Sequence, residues 1–190
     1  MTLTDLLIPT YRNMLRTLRG LLDKAEAQLG ADQAEALLSA RIAPDMFPLA
    51  TQVRFACVQA QEGPLRLLGR PLEGLEALLD EGRNAGERPG ILAEAQGRID
   101  EALAFLDGLP ADALDLAPAD DSISLTLPMG LTFDLTREQF ARDWAIGQFY
   151  FHVMAAYAIL RKDGIEIGKA DYVPHMFAYL REPGSPPAQA

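Results

Sequence analysis

Apolar residues at Leu7, Tyr11, Met14, Leu18, Leu21 and Ala25 recur alternately four and three positions apart, and no other feature constrains the chain more tightly. A repeat near 3.6 residues places all six on one face of a helix, and a long helix with one apolar face needs other helices to cover it. Pro9 then lies near the start, within about two turns of the N-terminus, and predicts a kink there. Gly30 is a natural stop. Asp32 with Glu35 has the capping-box spacing that would start a short helix through Leu38.

The same period returns further along. Asp45 reads as the N-cap of a second long helix, with Pro48 in its first turn and Met46, Leu49, Val53, Ala56, Cys57 and Ala60 as its stripe. Gly63 and Pro64 predict a kink, with a second helical portion through Leu65, Leu67 and Leu68. Arg70 to Gly90, rich in glycine and charge, reads as a mobile loop with one helical turn around Leu75 to Leu79. A third helix follows from Leu92, Ala95, Ile99, Ala102 and Leu106, and it ends near Gly108 and Pro110.

The period then changes to two. Ile123, Leu125 and Leu127 alternate with polar residues, as do Leu131, Phe133 and Leu135, and Pro128, Met129 and Gly130 between them supply the turn of a β-hairpin. Each strand offers one apolar face to the helices. Thr136 with Gln139 is a further capping box, opening a fourth helix through Phe140, Trp144, Phe151, Ala155 and Ile159 to about Lys162. Gly164 to Val173 reads as irregular, Pro174 to Arg181 as one more turn. The expected fold is mainly α, one domain over residues 1–181: an antiparallel four-helix bundle with one small β-hairpin between helices three and four. Residues 182–190 have the Pro, Gly and Ser content of a flexible C-terminal tail.

Composition removes several function classes. The net charge is -10, from 27 acidic and 17 basic residues, and the basic residues are scattered, so nucleic acid is not an expected partner. The longest nearly apolar run, Phe149 to Leu160, is too short to span a bilayer, which needs about 20 residues, so no membrane is expected either. Cys57 is the single cysteine and forms no intramolecular disulfide; it reads as a buried small hydrophobe in a cytoplasmic protein. Gly164, Ile165, Glu166, Ile167, Gly168 and Lys169 have the wrong spacing for a phosphate loop and are followed by Ala170 rather than Ser or Thr. With two histidines in the chain, any metal site must centre on His152 or His175, and His175 reads as solvent-facing. Gln148 lies four positions before His152, and Ala155 and Ala156 lie three and four after it, so an amide and an imidazole share a helical face beside small neighbours.

Two blocks carry a resemblance. Asp45, Met46, Phe47, Pro48 through Gln52, and Phe149, Tyr150, Phe151, His152 through Ala156 to Arg161 and on to Gly164 to Lys169, resemble the domain-of-unknown-function family numbered nineteen-ninety-three. The likeness extends from Leu6 to about Tyr172. That family, common in bacteria and also seen in fungi, is similar to the DinB/YfiT-like superfamily, whose fold is a four-helix bundle. The resemblance implies a divalent-metal position, for nickel or zinc, held in metal-binding members by one histidine on the second helix and a His-x-x-x-His pair on the fourth. On that pattern His152 stands at the second histidine of the pair, Gln148 at the first, and Gln52 at the helix-two position. Ile146, Gly147 and Gln148 stand where the nearer family usually has Leu-Pro-Asn. Two imidazoles are thus replaced by neutral amides, which are weak ligands for such metals, and no cofactor is expected.

The leading expectation is a small-ligand-binding bundle, a homodimer, with a degenerate metal site and a pocket lined by Gln52, Gln148, His152 and Tyr157. Mutual hydrogen bonding of the two amides and His152, holding the helices in register, is the structural alternative. The enzymatic alternative is a thiol transferase or isomerase of the kind found among superfamily relatives, with His152 as metal ligand or catalytic general base. The third is a structural or partner-binding dimer that uses the hairpin or the stretch from Arg70 to Gly90 as its contact surface.

Overall fold

The helix expected from the leading periodicity runs from Leu3 to Leu29 (α1) and buries all six stripe residues. The computed structural model describes residues 1–181, and the tail expected at 182–190 lies outside the described residues. The start of α1 is set by a capping box: Thr2 Oγ1 accepts from the Asp5 N–H at 3.0 Å, and Asp5 Oδ2 accepts from the Thr2 N–H at 3.4 Å. Gly30, at φ +81°, ends it. The short helix that follows, Ala31–Ala36 (α2), starts from Gly30 and has no side-chain cap, so Asp32 does not serve as the N-cap.

The second long helix, Leu49–Leu67 (α3), begins later than expected. Its N-cap is Pro48 and not Asp45, because Leu49 N–H is taken by Ala40 O at 2.9 Å and the preceding residues form turns. Met46 consequently falls outside the stripe. The helix continues through Gly63 and Pro64 to Leu67 as one element. Gly63 has a packing reason: a Cβ there would lie 2.7 Å from the Tyr11 hydroxyl of α1. Almost every side of α3 is covered, and its buried residues include Gln52 and Arg54 as well as the apolar stripe.

One of the elements covering α3 is a ten-residue helix where a loop with a single helical turn around Leu75 to Leu79 was expected. Leu75–Asn84 (α4) packs along α3, burying Leu75, Leu78 and Gly82. Gly82 admits the close approach, since a Cβ there would meet the Phe55 ring at 2.6 Å. Thr51 Oγ1 donates to Gly82 O at 2.8 Å and ties the two helices together. Leu92–Asp107 (α5) lies against α1 and α3 with Leu92, Ala95, Ile99, Ala102 and Leu106 buried, as the periodicity predicts.

The hairpin pairs Ser122–Thr126 (β1) antiparallel to Thr132–Thr136 (β2), with Leu125 opposite Phe133. The apolar face of β1 packs along its length, with Ile123 and Leu127 half-buried against the core. Leu125 is buried, whereas Met129, Leu131 and Phe133 are exposed. Thr136 caps the next helix as expected, accepting from the Gln139 N–H at 3.1 Å. That helix has three continuous parts: Arg137–Gln139 (α6), a π-helical stretch Phe140–Ala145, and Ile146–Lys162 (α7).

The π stretch changes the phase of the buried face. Of the expected stripe, Phe140, Ala155 and Ile159 are buried, joined by Phe149, His152 and Ala156, whereas Trp144 is half-buried and Phe151 is 57% exposed. Arg137 anchors the start by donating to Leu67 O at the end of α3 and to Leu114 O. Lys169–Tyr172 (α8) is a single turn within the stretch read as irregular, and a 3-10 turn spans Pro174–Tyr179. Buried residues of α1, α3, α5 and α7 share one hydrophobic core, and each fully buried leucine in it contributes about 2 kcal/mol. No helix among the described residues is long and apolar enough to cross a membrane.

Candidate functional site around His152

The α3 surface facing α7 presents Gln52, and α7 presents His152; the two are 1% and 8% exposed. Both positions follow from helical spacing. On α7 the three-four steps Phe149, His152, Ala156 and Ile159 turn the imidazole toward α3, and the small Ala155 and Ala156 let the helices approach.

Gln52 is oriented by its backbone surroundings. Its Nε2 donates to Phe47 O at 3.2 Å, and since a carbonyl oxygen can only accept, the amide cannot be turned the other way. Its Oε1 is then the atom 2.9 Å from His152 Nδ1. Nδ1 must carry the imidazole proton to donate to it, which leaves the Nε2 lone pair of His152 available. No protein partner meets that Nε2 among the described residues.

Aromatic rings enclose the imidazole. Phe55 and Phe151 meet it edge-on, each with ring centroids 5.3 Å away, and Phe47 packs edge-on against Phe55 at 5.6 Å. Burial among these rings pushes the His152 pKa down from the ordinary 6.5 to about 4. The ring is neutral at pH 7, an acceptor at Nε2 and a donor at Nδ1. Phe47 and Phe151 are themselves 49% and 57% exposed, so the enclosure is open on one side.

The other candidates are distributed differently. Gln148 is half-buried one turn before His152 and makes no side-chain hydrogen bond among the described residues. Tyr157 is half-buried and packs edge-on against Tyr172 at 5.3 Å, away from Gln52. Cys57 is buried, and burial raises its thiol pKa, so it is an unreactive core residue. His175 is half-buried rather than solvent-facing, with Nδ1 covered and without a partner among the described residues.

Phe47 and Phe55 are the neighbours that the candidate residues alone did not reveal. Phe55 had a usable signal, being three positions after Gln52 on the same face of α3. The Phe47 carbonyl had none, because every residue carries one.

The donor set does not fit a divalent transition metal. Gln52 Oε1, which would have to be a ligand, accepts from His152 Nδ1, and Gln148 offers only a neutral amide. No group of three or more His, Cys, Asp or Glu among the described residues is placed to hold a metal ion. What remains resembles the outer hydrogen bond of a histidine site, in which a carbonyl fixes the ring and its tautomer.

The chain is similar to the crystal structure of a DinB family member protein from Shewanella denitrificans, at 32% identity and a TM-score of 0.72, over 97% of this chain and 96% of that one. The fold is therefore of the DinB-like class. Within it, the model of the family described as Domain of unknown function (DUF1993) matches residues 3–173, and the chain belongs to that family. No curated protein matches.

Proposed function

We propose that this chain is a small-ligand-binding protein whose site centres on the Nε2 lone pair of His152, with Gln52 as the residue that orients the ring. The frame we infer is the antiparallel four-helix bundle of α1, α3, α5 and the continuous α6–α7 helix. The packing of α3 on α5 and α7, and of α1 on both, supports it. The observation that carries the proposal is the Phe47–Gln52–His152 relay, which holds one tautomer and directs a neutral acceptor into a half-open ring of aromatics. Such a site takes a compact ligand with one hydrogen-bond donor and an apolar body. Gln148, one turn away, supplies a second polar contact. Tyr157, engaged with Tyr172, is not included.

The same geometry speaks against His152 as a general base. A base with a pKa about 3 units below neutral is a poor proton acceptor at pH 7, whereas a hydrogen-bond acceptor only has to be neutral. Gln52 and Gln148 are read as replacements at a degenerate metal site. Thermal-shift screening of the full chain with small alcohols, amides and thiols tests the proposal. A ligand that raises the melting temperature of the wild type but not of His152→Ala supports it; stabilisation that survives in His152→Ala removes it.

Self-association as a homodimer is favoured by a separate observation. Tyr150, Phe151 and Met154 expose 36%, 57% and 47% of their surface along α7, a run of large apolar side chains suited to a copy of the same helix. Light scattering after size exclusion distinguishes a dimer from a monomer. Phe151→Asp should convert the first into the second.

A further inference from the structure

The opposite side of α3 holds a polar arrangement that the His152 site does not use. Between α3, α4 and α5 lies an open cavity of about 680 Å³, within the range of small-molecule pockets. Arg54 forms part of its wall with a side chain only 1% exposed. Two of its three nitrogens are satisfied, Nε by Glu81 Oε1 at 2.5 Å and Nη1 by Ala50 O at 3.1 Å. The third, Nη2, has no acceptor among the described residues and faces Gly90, where a Cβ would stand 3.0 Å from it.

A buried guanidinium with an open N–H calls for an acceptor. Glu81 cannot supply one, because its Oε2 already takes bonds from Arg98 Nε and Nη2 at 3.0 and 2.7 Å. Burial would raise the Glu81 carboxyl, but the hydrogen bonds from Arg98 and Arg54 outweigh it and hold the group below the usual glutamate range. Glu81 therefore stays ionised beside Arg54, and both of its oxygens remain committed to the two arginines.

Two charges on the cavity wall are free of ion pairs among the described residues: Arg88, and Glu94, whose Oε2 accepts only from the Ile91 N–H at 3.1 Å. Glycines keep the space open. Gly97 lies in the interior of α5, where glycine is disfavoured, and a Cβ there would meet no atom within 4 Å. Packing gives no reason for glycine at this position, while access to the cavity does.

The wall carries three arginines and four carboxylates. A polyanion would be repelled by the carboxylates, and a simple cation would leave the Arg54 N–H unmet. We infer that the cavity binds a small zwitterion of the α-amino acid class. Its carboxylate is received by Arg54 Nη2 and Arg88, and its ammonium group is turned toward Glu94.

Isothermal titration of the full chain with the L-amino acids, and with acetate and methylamine as single-charge controls, tests this. At least one amino acid should bind at one per chain, with both controls at least tenfold weaker. Gly97→Leu fills the cavity while favouring the helix, and should weaken binding at least tenfold with a melting temperature no lower than that of the wild type. Arg88→Ala, on the exposed rim, should weaken it several-fold, and His152→Ala should leave it unchanged. Absence of amino-acid binding at millimolar concentration, equal binding of acetate, or binding unaffected by both Gly97→Leu and Arg88→Ala would overturn the inference.

Discussion

Gln52 and Arg54 stand two positions apart on α3, each 1% exposed, and they enter opposite kinds of surroundings. Gln52 meets an imidazole among phenylalanines, with no countercharge, and burial there drives His152 to its neutral form. Arg54 meets a carboxylate that is shared with a second arginine, and the charges persist. Burial alone does not decide ionisation. A buried group keeps its charge where a countercharge and hydrogen bonds offset the lost hydration, and gives it up where they do not.

The contrast can be broken most severely on its ionic side. Glu81→Ala leaves the Arg54 guanidinium buried without its carboxylate and should lower stability by about 4 kcal/mol, measured by urea denaturation. Loss of less than about 1 kcal/mol would mean that the network is solvated.

On the neutral side the effect depends on pH. The folded His152 pKa lies below its unfolded value, so its contribution is complete above pH 6.5 and is lost as pH falls toward about 4. Acid unfolding titrations should show a decline in that window worth at most about 3 kcal/mol, absent in His152→Phe. The imidazole carbon resonances should not titrate between pH 5 and 8.

Gln52→Leu leaves both His152 Nδ1 and Phe47 O without partners and should cost about 2 kcal/mol. Imidazole nitrogen chemical shifts should at the same time show loss of the single Nδ1–H tautomer. The smallest effect is a gain: Gly97→Ala, in open space on α5, should stabilise the fold by about 1 kcal/mol in thermal denaturation.

Much of the helical frame was legible because burial leaves a period in the chain. The stripe of α5 was complete in the residue spacing; that of α1 was correct but narrower than the buried face, which also takes in Ile8, Leu15 and Leu22; and the strand alternation and the Thr136 cap were legible. α4 was read as a single turn around Leu75 to Leu79, although Leu75, Leu78, Gly82 and Ala85 have helical spacing. In the fold Gly82 is the contact that lets α4 approach Phe55. The face of the last long helix was misread at Trp144, inside a π-helical stretch that no residue type marks, and at Phe151.

Of the candidate site, His152 was legible as an imidazole on an apolar helix beside small neighbours, and Gln52 entered only through family likeness. The tautomer, the lowered pKa and the surrounding rings were not legible. They depend on a backbone carbonyl at Phe47 and on rings brought together from two helices.

By itself the amino-acid order marked α1, α3, α5 and the hairpin and the inward stripe of α5, since those follow from interactions among near neighbours along the chain. Tertiary structure alone decided that Gln52 holds a neutral histidine while Glu81, paired with Arg54 two residues on, keeps its charge beside an open cavity. The reason is that protonation and hydrogen-bond direction are set by the solvent lost and the partners gained across helices, which depend on separation in space.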